Sequence, residues 1–118
     1  MTDMFADDPE HPIPCLEQLD MVAAMRTGGA RLVIVVGSPL QGEQRSLERL
    51  MRKIENNLGF IASDEYPKEF GAPNPSNTEI AIALDSRSSP AAFELLERCK
   101  PWILANRTTL IVERRPSA

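Results

Sequence analysis

Between Arg31 and Glu113 the apolar positions change period in a regular order: strand, helix, strand, strand, helix, strand. RLVIVV over 31–36 is a β-branched run apolar on both faces, which predicts a central strand covered on both sides. From Glu43 to Leu58, the residues Leu47, Leu50, Met51, Ile54 and Leu58 share one helical stripe, and Glu48, Arg49, Arg52, Lys53 and Glu55 are left to face water. Gly59 is read as the end of that helix and Phe60-Ile61 as the start of a short second strand. A long loop is predicted over 64–77, holding Pro67, Pro73 and Pro75, and loops of that length are mostly functional or disordered. TEIAIAL over 78–84 reads as the third strand. Ser89 and Pro90 suit a helix cap and first position, Phe93, Leu96 and Cys99 follow at helical spacing, and Pro101 kinks or ends the helix. Thr109 to Glu113 is the fourth strand. Upstream, Leu16, Leu19, Val22 and Ala23 predict a short helix over 15–26 that stops at Gly28-Gly29. Residues 1–14, with Pro9, Pro12 and Pro14, predict a flexible acidic N-terminus.

That order is the split βαβ pattern. The expected fold is α+β and ferredoxin-like, a βαββαβ antiparallel sheet with two helices on one face and an extra N-terminal helix. A single domain over 15–118 is expected. In such an alpha-beta sandwich Leu32, Ile34, Val36, Ile80, Ile82, Leu84, Leu110 and Val112 face the helices. The opposite parity holds Val33, Val35, Ala81, Ala83 and Ile111, a second face that is also apolar and small in profile. Two covers are available: the N-terminal helix folded across it, or a second copy packed sheet to sheet. A homodimer is therefore the leading partner expectation.

Charge narrows the function classes. A net charge of −4 disfavours binding to nucleic acid or anionic membranes. It is unevenly placed: Asp3, Asp7, Asp8, Glu10, Glu17 and Asp20 precede any Lys or Arg, and the remainder is close to neutral. Such a segment is either solvated or suited to a basic partner. The opening MTDMFADDPEHP is acidic where a secretory leader needs a basic region, and the longest apolar run, Leu32 to Val36, is far too short to cross a bilayer. Cys15 and Cys99 are too few and too distant to read as a disulfide framework or zinc site. A cytoplasmic chain is expected.

Candidate chemistry is sparse. Gly37 to Gly42 (GSPLQG) has phosphate-loop glycine spacing, but Glu43 and Gln44 stand where Lys and Ser/Thr are required, so it reads as a strand-to-helix turn. Arg45, Arg49 and Arg52 lie at helical spacing and suit an anion or an acidic partner, though Glu48 and Glu55 among them suit a solvated face. Asp64 and Glu65, with Tyr66 beside them, sit in the predicted loop without a calcium-ligand pattern. His11 is the one histidine and has no sequence neighbour suited to act as nucleophile or metal ligand. No catalytic residue, metal site or cofactor is assigned. Arg45, Arg49, Arg52, Asp64, Glu65 and Tyr66 form the candidate binding surface.

Two resemblances add to this. Gly37, Gln41, Gly42 and Arg45 weakly resemble the loop of acylphosphatases, which are ferredoxin-like, and this implies Arg45 as a phosphate-binding residue. The Gln-Gly pair is one place out of register, and the family's catalytic asparagine is absent from Gly59-Phe60-Ile61-Ala62-Ser63. The stretch from about Leu32 to Arg114 resembles a small uncharacterised bacterial family, a domain of unknown function. Lys53-Ile54-Glu55-Asn56-Asn57-Leu58-Gly59-Phe60-Ile61, Tyr66-Pro67, Ile80-Ala81-Ile82 and Phe93-Glu94-Leu95-Leu96 carry that likeness. It implies a bacterial, cytoplasmic protein and no mechanism. The expected function is a non-catalytic protein-binding or self-associating module. A small acyl-phosphate hydrolase and a metabolite-binding regulatory domain are the alternatives.

Overall fold

A computed structural model describes residues 4–26 and 28–116. Its elements are β1 (Met21–Ala24), β2 (Ala30–Val35), α1 (Gln44–Ile61), α2 (Glu65–Phe70), β3 (Thr78–Asp85), α3 (Pro90–Ala105) and β4 (Thr109–Arg115). The sheet order is β1-β2-β3-β4; only β1 and β2 are antiparallel, and β3 is parallel to both β2 and β4. The fold is α+β with a mixed sheet, which corrects the ferredoxin-like antiparallel expectation.

Two local features account for the difference. Phe60-Ile61 is not a second strand, because α1 runs through Gly59 and ends at Ile61. Ile61 lies three residues after Leu58 and seven after Ile54, so it extends the same stripe into the core, where it is 2 % exposed. Core packing outweighs the strand preference of Phe and Ile. With no strand there, β2 reaches β3 by a helical crossover and must run parallel to it. The second correction is upstream, where the extra N-terminal helix is absent. Lys53 Nζ binds the carbonyls of Cys15 and Gln18 (both 2.6 Å), and Asn56 Nδ2 binds that of Leu16 (2.8 Å). Those carbonyls would be acceptors within a helix. Gly28 and Gly29 both have positive φ and turn the chain between β1 and β2.

Strand order follows chain order, so right-handed crossovers put α1 and α3 on one face of the sheet. Leu50, Ile54 and Leu58 of α1 and Ala92, Leu96 and Ile103 of α3 meet Leu32, Ile34, Ile80, Ile82, Leu84 and Leu110 there. The predicted loop contains α2. Its Tyr66 is fully buried, edge-on to Phe60, with its hydroxyl 2.8 Å from Thr78 Oγ1 at the start of β3. None of the helices among the described residues is long and apolar enough to cross a membrane.

Gly59 has no heavy atom within 4 Å of where a Cβ would stand. Gly59→Ala is expected to stabilise the domain by about 0.5–1 kcal/mol, because a mid-helix glycine loses more backbone entropy. A urea titration would show a higher midpoint with unchanged slope, whereas a turn at this position would show a lower one.

Candidate functional site

The arginines predicted as a contact surface do lie together on α1, but the chain's own N-terminal segment lies on them. Residues 4–20 form a strap along this helix. Arg49 is fully buried and donates to the carbonyls of Met4 (3.0 Å), Ala6 (2.7 Å), Ile13 (2.6 Å) and Pro14 (3.3 Å). Arg45 pairs with Asp8 at 2.6 Å, and Arg52 stacks 4.3 Å over the Phe5 ring. Lys53, also fully buried, adds Asp20 at 2.9 Å. The acidic segment thus meets the basic side of its own α1. Burial, then Arg45, lowers the pKa of Arg49.

Asp64, Glu65 and Tyr66 stand apart from the strap, beyond the far end of α1, which is about 27 Å long. Asp64 precedes α2, Glu65 is exposed, and Tyr66 belongs to the core. A cleft of about 490 Å³ there is lined by Ser63, Asp64, Asn106 and Arg107. Ser63 Oγ is bonded to the Phe60 carbonyl and Asn106 Nδ2 to that of Trp102, so two of its polar groups already serve local turns. In the 37–42 turn, the Gly37 amide is held by the Pro12 carbonyl and the Leu40 amide by Ser88 Oγ. Among the described residues, no group of three or more His, Cys, Asp or Glu side chains is placed to hold a metal ion.

A histidine–serine contact arises that the sequence does not announce. Ile13 N–H donates to His11 Nδ1 (2.9 Å), so the ring proton sits on Nε2, which donates to Ser46 Oγ (2.8 Å). The Ser46 hydroxyl in turn donates to Glu43. An activated serine needs the reverse, with imidazole accepting its proton. The chain of bonds pins the strap to the start of α1. Burial, followed by the charges of Arg49 and Arg45, lowers the His11 pKa below 6.5. As pH falls, the unfolded chain therefore protonates first, and stability that is whole above about pH 6.5 declines below it. His11→Gln should flatten that decline between about pH 7.5 and about pH 5.5 in urea titrations.

The remaining feature is the sheet face away from the helices. Its rows follow the register: Ala23, Arg31, Glu79, Thr109; then Met21, Val33, Ala81, Ile111; then Val35, Ala83, Glu113. Neither the strap nor any helix among the described residues covers it, and Met21 and Val35 are 54 % and 50 % exposed. Of the two expected covers, the N-terminal segment lies along α1 and reaches this face only at its Val35 end, where Gln18, Leu19 and Asp20 border a cleft with Val35. Arg31 Nε bonds Glu79 Oε2 at 2.9 Å across the face. The alternating pattern of β2 and β3 made the apolar part legible; Met21, Arg31 and Glu79 went unseen because β1 and the parallel register were not predicted.

Comparisons with protein-family models, curated proteins and solved structures found no match.

Proposed function

We propose that this chain is a non-catalytic protein-docking module that works through its bare sheet face. The observation that carries the reading is the apolar band of Met21, Val33, Val35, Ala83 and Ile111, with Ala81 recessed among them, over which no helix among the described residues lies. Parallel sheets are found almost only with both faces covered, and here β2, β3 and β4 are parallel with one face bare. The hydrolase alternative asks Arg45 to take a phosphate, and Arg45 is engaged by Asp8. Together with the bacterial resemblance, the composition supports a cytoplasmic setting.

Met21 supplies the test, since its thioether stands on the face. In an extract of the source cells, dilute peroxide should oxidise Met21 more slowly than in the dilute purified chain. Equal rates would overturn the docking reading. Native mass spectrometry of the same extract then gives the mass of whatever covers the face.

A further inference from the structure

The geometry points to a second copy of this chain as the occupant of the sheet face, turned about a twofold axis that runs parallel to the strands between β2 and β3. This rests on the docking reading above. Sheets stacked about 10 Å apart with strands nearly aligned keep the rows in register near such an axis. The rotation exchanges columns and preserves rows, so β2 of each copy lies over β3 of the other.

Shape and charge then match themselves. Val33 lies over the partner's Ala81, and Val35 lies over the partner's Ala83, a large side chain on a small one at each place. Met21 of β1 lies over the partner's Ile111 on β4. Arg31 lies over the partner's Glu79, and Glu79 over the partner's Arg31. With the Arg31–Glu79 bond inside each chain, the four groups form a square of alternating charge. That bond uses Arg31 Nε, so the terminal nitrogens of the guanidinium fork can donate to a second carboxylate. Glu113 falls beyond the end of short β1, at the rim. The other face-to-face twofold, perpendicular to the strands, sets Arg31 on Val35 and Glu79 on Ala83, so the intrachain pair is buried against apolar side chains and gains no partner across the interface.

The face spans four strands of about six residues, on the order of 400 Å² per copy. Standard stable interfaces bury about 800 Å² per partner. The dimer is therefore a weak, reversible one whose population rises through the micromolar range.

Charge reversal tests it. Arg31→Glu sets four carboxylates together in a homodimer, and Glu79→Arg sets four guanidinium groups together. Each alone should weaken association at least about tenfold in sedimentation velocity. Mixing the two variants should restore it as a heterodimer, since every acid again faces a base. The double variant, with its intrachain pair rebuilt, should associate like the wild type. Far-UV circular dichroism of each variant verifies that the fold is kept. A mixture that stays monomeric, or single variants that associate like the wild type, overturns this arrangement. So does a wild-type chain that remains monomeric at high micromolar concentration. In that last case, Met21 protection in the cell extract shows a different occupant and leaves the docking reading standing, whereas its absence removes both.

Discussion

Arg49→Met is expected to cost about 3–5 kcal/mol, a large part of the stability of a domain this size. The guanidinium bridges two places on the strap: one terminal nitrogen holds Met4 and Ala6, and the other holds Ile13 and Pro14. Methionine fills much of the volume and offers no donor, so the carbonyls of Met4, Ala6 and Ile13 lose this partner beside a fully buried site and that of Pro14 keeps only the Asp8 N–H. The strap should detach while the sheet persists. Reaction with a thiol reagent separates the two, because the Cys15 thiol, half-buried on the strap, should react faster while buried Cys99 stays slow. Arg49→Lys should recover less than half of the loss, because one ammonium can serve either pair of carbonyls and not both. A variant with wild-type stability and unchanged Cys15 reactivity would refute this account of the strap.

Gly29→Ala should cost about 3 kcal/mol or more. Its φ of +80° is one that L residues adopt only with strain. A Cβ there would stand 1.9 Å from the Asn77 carbonyl oxygen, a backbone atom that cannot swing aside. The same peptide donates its N–H to the Phe70 carbonyl (2.9 Å), so retreat from the clash breaks the tie between the β1–β2 turn and the end of α2. Gly28 is the control: its φ is also positive, yet nothing lies within 4 Å of its Cβ position. Gly28→Ala should therefore cost only the backbone strain, about 1–2 kcal/mol. Thermal unfolding of the two variants side by side measures the difference, and equal losses would show that the contact with Asn77 contributes nothing.

These two sites also show where the sequence is readable. The α1 stripe, the Ser89-Pro90 start of α3 and the inward parity of β2, β3 and β4 are all local patterns, and they are found in the structure as Leu50, Ile54, Leu96, Leu32, Ile80 and their neighbours. The register that sets Arg31 beside Glu79 depends on residues 48 positions apart, and no local period encodes it. The role of Arg49 was hidden for another reason. Arg49, Lys53 and Asn57 form an i, i+4 row beside Leu50, Ile54 and Leu58, all of them buried, so the inward arc of α1 is wider than its apolar stripe. A basic residue on that border reads as solvated until something supplies carbonyl oxygens to meet it. Here the supplier is the segment expected to be a flexible tail. The sheet face was legible as apolar; that no helix among the described residues covers it became evident only once that segment was placed on α1.

The strap also sets a mechanical hierarchy. Tension applied from the N-terminal side loads the bonds at Met4 and Ala6 first, then the His11–Ser46 contact, Ile13 and Pro14, and then the Lys53 clamp. These yield one after another, as a peeled tape does; β2 shares the load only through the Pro12–Gly37 bond just beyond its end and the Asp20–Val35 bond, and β3 and β4 are loaded last. An unfolding motor that grips this end would draw out residues 4–20, about 60 Å of extended chain, before it met the sheet, and would pause there on a core newly presenting Arg49 and Lys53, which had been sealed from water.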